Sequence, residues 1–240
     1  MRDEMALKGQ KVLIVGVSKG LGYATAYALL REGAKVVIVG LEKGKLDEME
    51  ASLKKYGEVR ALHIDGVREP KRLVDEAVAF LGGIDHLSVM IGGYVEDTVA
   101  DPKGLDEMLT NHIRAPILIV REAVSHMHEG STITLVSAMK GISKAMPNQL
   151  SYGIGKAGTA KAVQILASEL APRQIRVNAI APQQIDGEFA PERDWKPLRK
   201  KEGGSAPPED FANLLVWLMS EDSWIVNGAV IPADRGYSVI

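Results

Sequence analysis

Seven short apolar runs, separated by longer stretches of helical periodicity, constrain the fold of this chain more than any other feature. Valine and isoleucine occur at successive positions of these runs, as in strands that helices cover on both faces. The runs are Lys11–Val15, Lys35–Val39, Val59–Ile64, His86–Ile91, Thr132–Val136, Arg176–Ala181 and Ala229–Pro232. The predicted helices are Leu21–Glu32, Lys45–Tyr56, Lys71–Leu81, Gly104–His128, Gln149–Leu170 and Glu209–Ser220. This alternation predicts an α/β protein with a doubly wound parallel sheet of about seven strands, helices on both faces, and a single domain over residues 1–240.

Composition excludes several classes of protein. The chain has no cysteine, so disulfides, thiolate metal sites and a cysteine nucleophile are ruled out. Its net charge of −2 gives no reason to expect a nucleic-acid partner, and its five histidines form no H-E-x-x-H metal motif. No apolar run approaches the ~18 residues that span a membrane, and the first ten residues lack the apolar region of a signal peptide. We therefore expect a cytoplasmic protein that binds no membrane and no metal.

The first apolar run leads directly into a glycine-rich turn. Gly16, Gly20 and Gly22 stand in the segment GVSKGLG, between that run and the helix predicted from Leu21. Glycines at such a turn let the backbone approach a pyrophosphate, and the start of the next helix supplies free N–H groups and a positive dipole end. The segment therefore favours a dinucleotide site over an ordinary strand-to-helix turn.

A tyrosine and a lysine stand four residues apart in the predicted helix Gln149–Leu170. Residues at i and i+4 share one helix face, so Tyr152 and Lys156 are within mutual reach. A nearby cation lowers a phenol pKa from about 10 toward neutrality, which makes tyrosine a usable general acid or base. Ser137 follows the preceding strand, at the carboxyl edge where α/β sites form. Alone, the tyrosine–lysine spacing is also common on solvated helix faces.

Two other glycine patterns point to different chemistry. The segment Gly16–Gly20 fits the G-x-S-x-G elbow of hydrolases, with Ser18 as nucleophile. That elbow follows earlier strands, whereas only ten residues precede the strand here, so this function is disfavoured. The segment Gly153–Gly158 fits G-x-G-x-x-G, but it follows no strand, and we reject it as a phosphate loop.

Taken in order, the motifs resemble those of the short-chain dehydrogenase/reductase family over nearly the whole chain. They are Gly16–Gly22, Ser137, Tyr152–Lys156, Ile175–Pro182 and Val230–Ser238. The resemblance implies a Rossmann-like domain that binds NAD(H) or NADP(H) and transfers hydride between it and a ketone or a secondary alcohol. It implies that Tyr152 exchanges the proton, that Lys156 holds the nicotinamide ribose and lowers the tyrosine pKa, and that Ser137 hydrogen-bonds the substrate oxygen.

The position of the catalytic serine depends on where one inserted residue is placed. Counting along the strand places Ser137 there, whereas counting back from Gly141 places Ala138 there. We follow the strand register, because an insertion costs less in the loop beyond it.

Two further positions depart from the family pattern. The usual Asn-Asn-Ala-Gly after the fourth strand is replaced by Val89–Gly92. The family's relay asparagine falls on His112, with Asn111 one residue earlier, so either side chain is a candidate for the relay. With His112 in that role, we expect an acidic limb of activity near the ordinary imidazole pKa of about 6.5.

Cofactor preference rests on the end of the second strand. An NAD-preferring relative carries an acid there, but this chain has Gly40 and Leu41, and Lys19 occupies a place where NADP-preferring relatives often carry a cation. We therefore favour NADP over NAD, with an exposed solubilising lysine as the alternative for Lys19. Asp65 resembles the acid that contacts adenine, although a helix cap is an equally good interpretation. The predicted cofactor-binding residues are Gly16, Ser18, Lys19, Gly20, Leu21, Gly22, Leu41, Asp65, Gly66, Gly92, Tyr152, Lys156, Pro182 and Ile185.

The proline-rich, charged segment 183–208 is predicted to be a long loop that binds the small-molecule substrate.

The sequence thus predicts an NADP(H)-dependent oxidoreductase of ketones or secondary alcohols. The competing hypothesis, motivated by His112 and the altered Val89–Gly92 segment, is a dinucleotide-binding subunit that has lost its chemistry. The apolar helix Phe211–Met219 and the apolar end Val230–Ile240 favour a homo-oligomer, and the family resemblance implies a tetramer.

Overall fold

All seven predicted strands lie in one parallel sheet. The computed structural model describes residues 5–143, 145–200 and 202–237. Its strands are β1 (Lys11–Val15), β2 (Lys35–Gly40), β3 (Val59–His63), β4 (His86–Val89), β5 (Thr132–Val136), β6 (Arg176–Pro182), β7 (Gln184–Ile185), β8 (Ser205–Ala206) and β9 (Val230–Ala233). The main sheet has the order β3-β2-β1-β4-β5-β6-β9, and every neighbouring pair in it is parallel. The strand order reverses between β1 and β4, which is where ligands bind in sheets of this kind.

Helices cover both faces of this sheet, as predicted. They are α1 (Leu21–Arg31), α2 (Lys43–Leu53), α3 (Pro70–Leu81), α4 (Leu105–Leu109), α5 (Ala115–Val124), α6 (Met139–Ile142), α7 (Leu150–Leu170) and α8 (Pro208–Met219). Successive residues of β1 point to opposite faces: Ile14 packs with α1 and α8, and Leu13 packs with α3, α5 and α7. Burial on both faces explains why the strands are apolar throughout.

The predicted helix Gly104–His128 is wrong as one element, because the chain changes its winding in the middle. A single π turn, Thr110–Arg114, separates α4 from α5. Pro116 lacks an N–H and cannot bond the carbonyl of His112, four residues earlier. That carbonyl accepts a hydrogen bond from Thr159 Oγ1 on α7 instead, at 2.7 Å. The altered winding turns residues 111 and 112 toward α7 and the site.

The predicted helix also ends early, at Val124, so that His126 and His128 lie beyond it. Both side chains are exposed, and that of His128 also has two polar partners. Its Nε2 lies 2.8 Å from Asp85 Oδ1, and its Nδ1 lies 2.7 Å from the carbonyl oxygen of Glu129. Of the predicted C-terminal motif, Ser238 lies outside the described residues, as do the last two residues of the predicted apolar end.

The predicted substrate loop is partly ordered by pairing and by ion pairs to α8. Strands β7 and β8 form a small parallel pair of their own. The Arg193 guanidinium binds Glu209, with Nη2 donating to Oε2 at 2.8 Å, and Arg199 Nε donates to Asp210 Oδ2 at 2.9 Å. These contacts hold most of segment 183–208 against the body of the protein.

Candidate active site

A cleft of about 810 Å³ opens at the carboxyl edge of the sheet, over the reversal between β1 and β4. The structure brings together in it every residue that the sequence assigned to the cofactor. These are Gly16, Ser18, Lys19, Gly20, Leu21, Gly22, Leu41, Asp65, Gly66, Gly92, Tyr152, Lys156, Pro182 and Ile185. Ser137 lines the cleft too, whereas His112 lies behind its wall.

The glycine turn has the shape that a dinucleotide requires. Gly16 has φ +91°, and a Cβ there would lie 2.5 Å from the backbone nitrogen of Ile91. A Cβ on Gly22 would lie 2.8 Å from Val17 Cα, so glycine alone permits α1 to start this close to the turn. Because the eleven-residue helix α1 begins at Leu21, its first N–H groups face the cleft. The turn therefore fits the pyrophosphate of NAD(H) or NADP(H).

Tyr152 and Lys156 lie one helical turn apart on α7, at the inner end of this cleft. Lys156 Nζ is 5.9 Å from the centre of the Tyr152 ring, and it donates a hydrogen bond to the Val136 carbonyl at 2.9 Å. Burial lowers the pKa of Lys156 to about 8. An ammonium has three protons, so two remain available for hydroxyl groups in the cleft.

The net pKa of Tyr152 is not lowered in this geometry, contrary to the expectation. Burial raises the pKa of Tyr152, and the neighbouring phenol of Tyr94 acts in the same direction. Tyr152 is therefore protonated at neutral pH and suited to donate a proton.

Ser137 does not have a free donor proton. Its Oγ lies 2.8 Å from the carbonyl oxygen of Lys156, which can only accept, so the hydroxyl hydrogen points to that carbonyl. No hydrogen bond joins Ser137 to Tyr152 within the described ranges. The predicted role as donor to the substrate oxygen is therefore not prepared in this structure, because the proton is engaged elsewhere.

His112 is buried in the π turn, and its ring stands edge-on to Tyr152 with 5.6 Å between the ring centres. Neither ring nitrogen has a hydrogen-bond partner among the described residues. Burial, and then the positive charge of Lys156, lower the pKa of His112 to about 4, against weaker opposite effects of the Gly93 and Ile91 carbonyls. With this pKa the imidazole is neutral near pH 7, so an acidic limb due to His112 is expected near pH 4 and not near 6.5. Asn111 faces the cleft, and its Nδ2 donates to the Gly92 carbonyl at 3.2 Å.

Two residues beside Tyr152 were missed by the sequence reasoning. The ring of Tyr94 packs edge-on against Tyr152, with 5.1 Å between centres, and lies half exposed at the mouth of the site. Asp97 is buried, and its carboxylate accepts the backbone N–H groups of Ser151 (3.0 Å) and Gly104 (3.0 Å) and the Ser151 hydroxyl. It thereby caps α7, which has no side-chain cap of its own. The sequence signal was weak, because Asp97 is 54 residues from the helix it caps.

The adenosine end of the cleft has charged residues of both signs. Lys19 and Lys45 both line it, and Lys45 Nζ lies 2.5 Å from Glu42 Oε2. Asp65 Oδ1 accepts the N–H of Val67 at 3.0 Å, so its carboxylate orders the turn after β3. It is not the cap of α3, which begins five residues later at Pro70.

The two rejected glycine patterns have other roles. No histidine of the described ranges lines the cleft, so Ser18 has no imidazole base beside it. A Cβ on Gly155 would lie 3.0 Å from His112 Cδ2, and one on Gly158 would lie 2.3 Å from Ile113 Cδ1. These glycines let the π turn pack closely on α7.

Comparison with known proteins agrees with this geometry. The family model described as enoyl-(acyl carrier protein) reductase matches residues 16–238. The chain belongs to the short-chain dehydrogenase/reductase family. A 3-oxoacyl-(acyl-carrier-protein) reductase of Thermotoga maritima is 31% identical over 97% of this chain and 99% of its own. The human dehydrogenase/reductase SDR family member 4 is 29% identical over 98% of this chain and 89% of its own.

A solved dehydrogenase/reductase of Sinorhizobium meliloti 1021 has the same fold, with a TM-score of 0.82 and 28% identity over 97% of this chain and 96% of that one. This short-chain dehydrogenase/reductase is therefore an NAD(P)-dependent oxidoreductase of ketones or alcohols. These relatives are named as enzymes, and nothing in the comparisons supports a subunit without chemistry. No helix of the described ranges is both long and apolar enough to cross a membrane.

Proposed function

We propose that this protein is an NADPH-dependent reductase of a ketone, with the secondary alcohol as product. The observation that carries the proposal is the pair Tyr152 and Lys156 at the inner end of a glycine-lined cleft, with the tyrosine held in its protonated form. When bound, the nicotinamide supplies the hydride to the carbonyl carbon. Tyr152 donates its phenol proton to the carbonyl oxygen, which a protonated tyrosine does more readily than the reverse step.

Lys156 has two tasks in this proposal. Its ammonium, held at one side by the Val136 carbonyl, donates to the ribose hydroxyls of the nicotinamide end. It also stabilises the tyrosinate that remains after proton transfer, because an opposite charge nearby favours the charged form. His112, as a neutral imidazole behind Tyr152, relays the replacement proton through water toward this pair.

The proposed dinucleotide contacts follow the cleft from one end to the other. The pyrophosphate lies on the turn Gly16–Gly22 at the start of α1, and Asp65 and Gly66 face the adenine. Gly92, Pro182 and Ile185 border the nicotinamide end. The 2′-phosphate of NADPH is bound by Lys19, since the end of β2 offers Leu41 instead of an acid. Glu42 pairs with Lys45 and is thereby less suited to bind a ribose hydroxyl.

A carbonyl panel with NADPH tests the reaction, and Tyr152→Phe tests the assignment of the proton. We expect the variant to lose turnover by roughly 10² to 10⁴, the usual worth of a general acid, while NADPH affinity measured by fluorescence stays within about twofold. A Phe variant that retains the wild-type rate on a substrate from the panel would sink the assignment. Tyr23→Phe, on α1, is a matched control that removes a phenol remote from the proton transfer.

The cofactor preference is tested with Lys19→Ala. A charge-assisted bond to phosphate contributes about 1.5–3 kcal/mol, so NADPH affinity should fall roughly 10- to 150-fold while NADH affinity stays unchanged. Lys45→Ala is the comparison, because that ammonium already has Glu42 as partner. Equal losses of NADPH and NADH in Lys19→Ala would assign Lys19 to the shared pyrophosphate instead.

We further propose a cytoplasmic homotetramer. The compartment is inferred from a cysteine-free composition, and the assembly from the exposed apolar side chains that precede β9.

A further inference from the structure

Two hydrogen bonds that run in opposite directions join the end of β5 to α7. They connect residues 136 and 137 with Lys156. Ser137 Oγ donates to the Lys156 carbonyl at 2.8 Å, and Lys156 Nζ donates to the Val136 carbonyl at 2.9 Å. Ser137 N donates to the Ile180 carbonyl on β6 at 2.9 Å, which fixes the same stretch of backbone to the sheet. We call the two bonds between residues 136–137 and Lys156 the β5–α7 clasp.

The clasp is almost fully buried, at the wall of the cleft. Ser137 is 2% exposed and Lys156 is 5% exposed. The backbone of α6 passes so close that a Cβ on Gly141 would lie 2.5 Å from the carbonyl carbon of Lys156. Rotating the Ser137 hydroxyl toward the cleft would leave the Lys156 carbonyl without this partner in a buried place, which costs free energy.

We propose that Ser137 is a positioning residue for Lys156, and that it does not donate to the substrate oxygen. The serine hydroxyl fixes the main chain of Lys156 to β5, and the peptide it belongs to receives the lysine's ammonium. Both the backbone and the ammonium of Lys156 are therefore held in place, and the remaining ammonium protons are directed to the cleft. Tyr152 alone then supplies the side-chain hydroxyl that donates to the carbonyl. This inference rests on the proposed function.

The residue after Ser137 offers no side-chain donor to the substrate oxygen. Ala138 lines the same cleft, has an extended backbone (φ −155°, ψ 155°) and carries no polar group. Preorganised donors to a reacting oxygen are worth about 10²–10³ in rate. A hydroxyl placed at residue 138 should therefore increase the rate if Ser137 does not already serve the oxygen.

The first test uses Ser137→Ala, with Ser223→Ala as the matched control. Ser223 is also fully buried, and its hydroxyl lies within hydrogen-bond distance of the carbonyls of Ser220 (2.9 Å) and Leu218 (3.0 Å), but it lies before β9, outside the cleft. Both variants should lower the melting temperature by roughly 2–12 °C, since each removes a buried hydroxyl–carbonyl hydrogen bond. Only Ser137→Ala should shift the pH at which NADPH affinity falls as Lys156 loses its proton, and its kcat should fall by less than about tenfold.

Two results would overturn the proposal. One is a loss of kcat of about 10² or more in Ser137→Ala with NADPH affinity and its pH dependence unchanged, as expected of a donor to the substrate oxygen. The other is a pH dependence of NADPH affinity that moves no more than in Ser223→Ala, which would make Ser137 merely structural. NADPH binding needs no substrate, so the binding measurement still tests the clasp if no ketone in the panel is reduced. That failure to reduce a ketone counts against the proposed function alone.

The second test uses Ala138→Ser, which keeps the clasp and remains informative if Ser137→Ala does not fold. We expect kcat to increase about tenfold or more, as a new donor reaches the carbonyl oxygen. An unchanged or lower kcat in a folded Ala138→Ser variant with normal NADPH affinity would contradict the proposal that the substrate oxygen lacks a second side-chain donor.

Discussion

Burial governs the ionisation of the three titratable side chains at the reacting end of the cleft. It raises the pKa of Tyr152, lowers that of Lys156 to about 8 and lowers that of His112 to about 4. Near neutrality the site thus has a phenol, an ammonium and a neutral imidazole. Loss of the Lys156 proton should limit cofactor binding on the alkaline side, near pH 8.

His112→Asn tests the state of the imidazole. Because the pKa of His112 is about 4, the variant and the wild type should have superimposable pH–rate profiles from about pH 5 to 8, with turnover reduced by less than about tenfold. A wild-type acidic limb near 6.5 that is absent from His112→Asn would show that the imidazole titrates in the working range. Asn111→Ala is the companion variant, and loss of activity there alone would assign the relay to Asn111.

The identities of the cleft residues could be predicted from the sequence, but not the ionisation or the hydrogen bonds of the catalytic ones. Spacing places Tyr152 and Lys156 on one helix face, and the structure confirms that face. Spacing carries no information on how deeply the helix is buried, and it is burial that raises the pKa of the tyrosine. Likewise, counting along a strand identifies Ser137 but not the carbonyl that its hydroxyl meets.

At the scale of elements, the site depends on how the loop between β4 and α4 is attached to α7. Asp97 receives the first free N–H groups of α7 and the Ser151 hydroxyl, and its own backbone N–H donates to the Asn148 carbonyl at 3.2 Å. Tyr152 follows Ser151 directly, and Tyr94 lies on the attached loop. One carboxylate therefore attaches the loop that carries Tyr94 to the start of the helix that carries Tyr152.

Asp97→Asn should lower both stability and turnover. The hydrogen bonds from Ser151 lower the pKa of Asp97, so the stability it contributes is present above its unfolded pKa of about 3.9 and is lost as the pH falls through the folded value. The melting temperature of Asp97→Asn should therefore lie below that of the wild type at pH 7, and the difference should shrink below about pH 4. Glu96→Gln, which removes an exposed charge from the same loop, is the control. A difference that is constant from neutral to acidic pH would show that the carboxylate charge is not what holds the loop.

The predicted boundaries of strands and helices agree with the structure where the hydrophobic period is unbroken. They fail where a side chain interrupts that period. The apolar pattern predicts all seven main strands to within two residues at either end, because the inner strands are buried on both faces and the edge strands keep short apolar runs. The pattern continues through Gly104–His128 as though the helix were regular, yet Pro116 forces the π turn. Residues 139–142 form a helix too short to show a period.

At the scale of the whole molecule, the sheet ends in an exposed edge next to apolar side chains. Strand β9 pairs only with β6 among the described strands, and just before it Trp224 and Ile225 are 74% and 82% exposed. The sequence argument for an oligomer named Phe211–Met219 and the apolar end Val230–Ile240, but Phe211, Leu215 and Leu218 are buried in the protein's own core. The apolar surface that a partner would cover is thus the turn before β9, which carries no periodic pattern in the sequence.

A contact between copies of the chain is therefore expected at that turn. We expect light scattering at micromolar concentration to give about four times the chain mass of 25.9 kDa, because the exposed apolar side chains favour a contact between copies and the family resemblance implies a tetramer. Replacing Trp224 and Ile225 together by glutamate should lower the mass, since a symmetric contact would then bring like charges together. Val99→Glu, at a side chain 86% exposed on the loop before α4, is the matched control and should leave the mass unchanged. A wild-type mass near 25.9 kDa would refute the tetramer, and a double variant that keeps the full mass would move the interface to another face of the protein.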